Sequence, residues 1–429
     1  MKLGNLAVTS MRNEKSKYYF LIINLTFAVA VSIIFAHFMS NPTLGFSGEL
    51  AKQMVSDNTL PVVYLFMMAA CIILVAVALV FYANESYLAN QKKTLSILSM
   101  SGASLVAITK YFAIQHVICM LVAIILGVLI SLVGLPIINF FMSMTSNIAI
   151  PLFSYDTQAF LLGFVIVAVM LFFLWLCDVG YVYRTDKFEL TKPHSTVQQV
   201  DVMPGKKVFS MVGYLVPLGM MLLIPPVLEL YLVYMIIGMF GISGIFHNIL
   251  PMVFGRQQRK YAYDPIRSML YTNLIDAVKQ NGFLTKMISI AMMVLSVLLC
   301  SNADASLTIT FISISFVILI AMMLLCIYNN MTTMAVNRSQ QYQTLNLIGY
   351  DRKMIEQMIK KEQHWYFALL FLLPFIYVLV CVTKFTIFEH VQVLFTAAVL
   401  FVFLLLIVLC EKLCELPHKA VLKNRRMSS

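Results

Sequence analysis

Long apolar runs alternate with short polar, basic segments along the whole chain. Crossing a bilayer takes ~20 apolar residues, because every backbone amide inside hydrocarbon must be bonded within its own helix. Ten runs meet that demand: Tyr18 to Met39, Pro61 to Tyr82, Tyr111 to Val133, Gln158 to Tyr181, Val208 to Ile224, Leu228 to Phe254, Met287 to Cys300, Leu307 to Tyr328, Trp365 to Thr383 and Val391 to Cys410. The fifth and seventh are short. Pro225-Pro226 makes the fifth and sixth a tight hairpin, since two prolines cannot continue a helix. The pattern predicts an all-α polytopic membrane protein with ten transmembrane helices.

Two of the polar segments share a spacing. Asn90, Leu98, Gly102 and Ser104 recur as Asn337, Leu345, Gly349 and Asp351, at a constant offset of 247 with no gap. Each segment reads as helix, break, helix. Gly102 and Gly349 suit the left-handed position that ends a helix, and Ser104 and Asp351 suit the N-cap of the next one. One such elbow is ordinary loop punctuation; two in matching register point to an internal repeat. The first copy runs from the N-terminus to about Arg184 and the second from about Tyr263 to the end, each with a basic lead-in, four spans and one elbow. The expected division is residues 1–207, a first four-helix repeat; 208–255, a central helix pair; and 256–429, a second four-helix repeat. Leu95, Ile97, Leu98 and Met100, like Leu345, Leu347 and Ile348, are apolar residues in water-facing segments, so something must cover them: neighbouring loops, the inner leaflet or a separate protein.

Composition agrees with the spans, and charge orients them. Hydrophobic residues make up 61% of the chain and charged residues 11%, with a mean hydropathy of +0.88. That is far from a soluble domain, at ~45–50% apolar. With the N-terminus inside, alternate loops and the tail hold 28 of the 30 Lys and Arg, leaving only Lys52 and Lys384 outside. This bias places both termini in the cytoplasm and makes the repeats parallel. The net charge of +11 is then a matter of inner loops, not of nucleic acid. The first apolar run is too long for a signal peptide and lacks a small-x-small cleavage site, so it is expected to stay as an anchor. All eight cysteines lie in or beside apolar runs without metal or redox spacing, and no disulfide is expected.

The elbow pattern, basic or polar residues followed by Leu-x-x-x-Gly-[Ala/Tyr]-[Ser/Asp] between a descending and a returning helix, resembles the permease domain of FtsX-like ABC transporters. The duplicated arrangement with a central helix pair resembles the ten-helix Bce-type permeases that handle antimicrobial peptides. The resemblance implies two FtsX-like four-helix repeats in a bacterial plasma membrane. It also implies elbows that act as coupling helices on a cytoplasmic ABC ATPase dimer, through Ser101, Gly102, Ala103 and Ser104 in one and Ile348, Gly349, Tyr350 and Asp351 in the other. The chain would be a permease subunit and not an enzyme: it carries no cofactor, and ATP and Mg would be bound by the partner. The work expected of it is export, or extraction from the membrane, of a hydrophobic or amphipathic substrate such as an antimicrobial peptide or lipid-linked compound. The alternative is a non-transporting regulator that signals to another membrane protein, for instance a sensor kinase. One departure stands out: Bce-type permeases carry a large extracellular domain between helices 7 and 8, and here that connection is only Ser301 to Ser306.

Other motifs narrow the field. Pro204-Gly205-Lys206-Lys207-Val208 lacks the first Gly and the hydroxyl of a phosphate-binding loop, and no hydrolase or metal signature occurs. Ionisable residues at membrane depth are functional candidates, because an unpaired charge there is costly. Asp178 and Glu229 are therefore candidate substrate contacts, weighed against a snorkelling or helix-end role for Asp178 and a hydrated cap for Glu229. His116 and His247 read as satisfied packing histidines. The mixed basic and aromatic segment Arg256 to Tyr263, just below the sixth span, reads as a contact with anionic membrane lipid in preference to nucleic acid.

Overall fold

The computed structural model describes residues 3–13, 15–40, 60–146, 151–184, 204–301, 306–388, 397, 400–402, 405 and 408–416, and every regular element among them is helical. The first half comprises α1 (Leu3–Asn13), α2 (Lys15–Ser40), α3 (Leu60–Asn90), α4 (Lys92–Met100), α5 (Leu105–Ser146) and α6 (Thr157–Arg184). Next come α7 (Pro204–Leu223), α8 (Leu228–Gly244), a π-helical turn (Ile245–Ile249), α9 (Leu250–Lys260), α10 (Pro265–Gln280) and α11 (Gly282–Ser301). The series closes with α12 (Ser306–Asn337), α13 (Ser339–Leu347) and α14 (Arg352–Phe388).

Seven helices among the described residues are long and apolar enough to cross a membrane, or eight if α10 and α11, bent by 66° at their junction, form one span. The seven match the first, third to sixth, eighth and ninth predicted spans, and the bent pair contains the seventh. The second lies in α3, where Ile72–Leu88 is a shorter apolar stretch. The tenth, the connections 41–59 and 302–305, the segment 185–203 and the tail from residue 417 lie wholly or mostly outside the described residues. The protein is thus a multi-pass helical membrane protein.

Packing divides the chain into two compact units, Met1–His194 with Asp304–Cys326 and Ser195–Ala303 with Ile327–Ser429. In the first, α2 is the interior helix and packs on α3, α5 and α6. Leu25, Ala28, Val29, Ile33 and Ala36 of α2 have no exposed surface, whereas α5 and α6 leave rows of Leu, Val, Ile and Phe uncovered. A helix apolar all round and buried all round is held by close packing, since lipid is as apolar as a neighbouring helix and supplies no hydrophobic gradient.

In the second unit the helix stops at Leu223 and resumes at Leu228, on either side of Pro225-Pro226. The resulting pair, α7 and α8, meets backbone to backbone: a Cβ on Gly241 would lie 2.4 Å from the Gly213 carbonyl carbon, so only glycine fits. Tyr231 fastens the turn by donating its hydroxyl to the Met221 carbonyl (2.8 Å). α8 also packs on α11, and α14 on both α10 and α11.

Candidate functional site: two elbows and their buried anchors

Gly102 has φ +83° and Gly349 φ +102°, and these are the glycines with positive φ among the described residues. Around them the same hydrogen-bond pattern closes each short helix. Gly102 N–H donates to Ser99 O (3.2 Å) and Ala103 N–H to Leu98 O (3.1 Å); Gly349 N–H donates to Asn346 O (3.1 Å) and Tyr350 N–H to Leu345 O (3.1 Å). This is the Schellman motif, in which a left-handed residue lets two amides turn back onto otherwise unpaired carbonyls. The returning helix begins at once. Ser104 Oγ accepts from Ala107 N–H (3.3 Å), and the carbonyls of Ser104 and Asp351 take the first helical bonds from Ile108 and Ile355.

The elbows divide their apolar residues between anchor and tip. Leu95 (2% exposed) and Leu345 (5%) are buried and need no further cover, contrary to the expectation that all of them do. Met100 (78%) and Leu347 (87%), at equivalent positions, stand out at the tips, with Ile97, Leu105, Val106, Ile348 and Met354 exposed beside them. Ser101, Gly102, Ser104, Gly349 and Asp351 are exposed as well, and Ala103 and Tyr350 partly so.

Each elbow hangs from a buried polar residue at the break before its short helix. In the first this is Gln91, without exposed surface, whose Nε2 donates to the Tyr18 hydroxyl at the start of α2 (3.5 Å) while its Oε1 accepts from Thr94 (2.9 Å). In the second it is Arg338, 247 residues on. Its guanidinium pairs with Glu362 of α14 and donates to the Asn273 carbonyl of α10 (2.9 Å), and Asn273 Nδ2 donates to the other Glu362 oxygen (3.1 Å). Burial opposes the Arg338 charge, but the Glu362 carboxylate and Tyr342 outweigh it and hold the guanidinium above its usual range. The returning helices correspond too. Gln115 of α5, at the position equivalent to Glu362, accepts from the Tyr87 hydroxyl (2.6 Å).

Asp178 does not snorkel. It is fully buried, accepts from Asn84 Nδ2 through Oδ1 (3.0 Å), and has Oδ2 2.9 Å from His116 Nδ1. His116 Nε2 lies 2.6 Å from Asn84 Oδ1, and Nδ1 also lies 3.0 Å from the Phe112 carbonyl. With Asn84 oriented so, both ring nitrogens of His116 lie beside oxygen atoms. Asn84, His116 and Asp178 thereby tie α3, α5 and α6 together. Glu229, in the first turn of α8, is exposed and belongs to the second unit. His247, expected to be packed, is exposed in the π-helical turn.

Sequence reasoning missed the anchors because it followed only the punctuation residues. Carried outward from Gly102 and Gly349, the same offset of 247 pairs Gln91 with Arg338, Gln115 with Glu362 and His116 with Gln363. All six are polar residues buried among apolar helices.

No curated protein matches the chain. Residues 66–185, from within α3 through the first elbow to the end of α6, match a family model described as FtsX-like permease C-terminal. Through that segment, which includes the first elbow, the chain is similar to FtsX-like permeases.

Proposed function

We propose that this chain is the membrane subunit of an ABC transporter, of the Bce-type ten-helix form with two parallel four-helix repeats, and that both elbows dock on a cytoplasmic ATPase dimer. The observation that carries the reading is the pair of elbows with one backbone geometry and equivalent exposed apolar tips at Met100 and Leu347. A solvated loop has no need of an exposed apolar tip on a rigid turn, whereas a groove on a partner does.

Force transfer follows from helix length. The 42 residues of α5 span about 63 Å and the 37 of α14 about 55 Å at ~1.5 Å per residue. A hydrocarbon core is ~30 Å thick. The returning helices therefore reach well past it and hold the elbows clear of the membrane. Gln91 ties the first elbow to α2, and Arg338 ties the second to α10 and α14, so a displacement at a tip would move the helices as rods. ATP binding would close the partner dimer, shift the tips and drive the spans. The substrate class that suits the wide apolar flanks of α5 and α6 is a hydrophobic or amphipathic molecule taken from the membrane, an antimicrobial peptide or lipid-linked compound among them.

Purification in mild detergent with the candidate ATPase co-expressed tests this directly. The two are expected to co-purify, and Gly102→Val with Gly349→Val to abolish the permease's effect on ATP hydrolysis. An ATPase that neither binds nor responds overturns the reading.

A further inference from the structure

At the start of α7 a groove of about 460 Å³ opens in the second unit, lined among others by Lys206, Phe209, Phe240, Ser243, His247 and Lys286. None of its lining residues is acidic, and no ion pair among the described residues engages Lys206 or Lys286. Two lysines thus line one groove with no acidic residue among its described lining.

The floor is built rather than accidental. Asn248 Nδ2 donates to Ser210 Oγ (3.1 Å), and Ser210 Oγ donates to the Lys206 carbonyl (2.8 Å). A Cβ on Gly244 would lie 2.4 Å from that same Oγ, so the two helices meet here more closely than a side chain at 244 would allow. One wall is the π-helical turn Ile245–Ile249, an irregularity whose extra residue per turn costs hydrogen-bond quality and which gathers at functional sites. It contributes His247 and Asn248 to the lining. The flank is apolar and open: Phe209 is 78% exposed and Phe240 64%. Cations beside bare aromatic rings on a membrane helix suit a ligand with an anionic head and an apolar body.

We propose that this groove holds the phosphate headgroup of an anionic phospholipid. Lys206 and Lys286 take the phosphate, His247 and Asn248 border it, and Phe209 and Phe240 lie along the acyl chains. Placement in the inner leaflet rests on the topology proposed above, because Lys206 and Lys286 both belong to connections assigned to the cytoplasmic side. The basic end of α9, where Arg259 and Lys260 precede the stacked rings of Tyr261 and Tyr271 (6.1 Å), would extend the same headgroup contact. A resident lipid here would brace the α7–α8 pair.

Native mass spectrometry of the detergent-purified chain, titrated with phosphatidylglycerol, phosphatidylcholine or glycerol 1-phosphate, tests the site. Phosphatidylglycerol is expected to bind more tightly than phosphatidylcholine. Lys206→Ala with Lys286→Ala should weaken it about thirty-fold, some five- to six-fold per lysine, while Lys206→Arg with Lys286→Arg should retain it. Equal binding of the two lipids, or undiminished binding by the double alanine variant, overturns the proposal. Loss of binding in the arginine variant as well also overturns it, since the effect would not be one of charge. Saturation by glycerol 1-phosphate alone, displacing lipid, would assign the groove to a soluble phosphate compound instead. Sidedness is read separately, by labelling Lys206→Cys with an impermeant maleimide above the wild-type background. Labelling of intact cells would overturn the topology and leave the lipid site standing, whereas failed lipid binding with labelling only after permeabilisation would do the reverse.

Discussion

Replacing Glu362 by Ala strips the second elbow of its counterion. Arg338 and Glu362 are 9% and 7% exposed at their side chains, so the guanidinium cannot turn to water and is left with the Asn273 carbonyl, Tyr342 and the more distant Asp276 in place of its paired carboxylate. Removing one partner of a buried pair costs about 3–5 kcal/mol, more than the net worth of the pair, because a charge is left without compensation. In a unit of this size that corresponds to a fall in melting temperature on the order of 6–20 °C. The chain has two tryptophans, Trp175 and Trp365, and Trp365 lies one turn beyond Glu362 on α14. In a Trp175→Phe background, thermal unfolding in detergent followed by Trp365 fluorescence should show the shift. Arg338→Met combined with Glu362→Met should regain most of the loss, since an apolar pair of similar volume leaves nothing unpaired. If Glu362→Ala melted within about 2 °C of its parent, or if the double substitution were no better than the single one, the argument for a buried ionic anchor would be refuted.

Three more outcomes are expected. Asp178→Ala should destabilise the first unit by about 1–3 kcal/mol by taking a buried acceptor from Asn84 and a neighbour from His116, seen as lower thermal stability reported by Trp175, with a smaller loss for Asp178→Asn. Gly102→Ala and Gly349→Ala should each cost about 1–2 kcal/mol. A Cβ at either position meets nothing within 4 Å, so the penalty is backbone strain alone, and unfolding midpoints that did not move would contradict the assigned conformation. Met100→Asp with Leu347→Asp should leave the melting temperature of the free chain unchanged while cutting affinity for the ATPase at least about tenfold; a titration of the partner in detergent distinguishes the two effects.

Most of the helical framework was legible because membrane helices are specified by length and apolarity alone. Seven predicted spans coincide with long apolar helices, and Pro225-Pro226 marks a real interruption. The elbows were legible because a left-handed glycine and a cap are local features, fixed by neighbours a few residues away. What could not be read was pairing across the fold. His116, read as a packing histidine, and Asp178, read as a candidate contact, looked unrelated, since nothing in a single chain's periodicity says that α5 and α6 set them 2.9 Å apart. Leu95 and Leu345 looked uncovered for the same reason, and His247 looked packed because a π-helical turn is invisible to a pattern of 3.6.

Matched tips on unlike anchors give the two elbows unequal stiffness. Gln91 reaches Tyr18 through a neutral contact of 3.5 Å, at the outer limit of a hydrogen bond and therefore easily stretched. Arg338 is held by opposite charges at low dielectric, where the first ångström of separation is steeply uphill. If a partner pressed on both tips, as proposed above, the push would thus be absorbed partly in the first lever and delivered almost whole by the second. Two nearly identical handles would act as a shock absorber and a crankshaft.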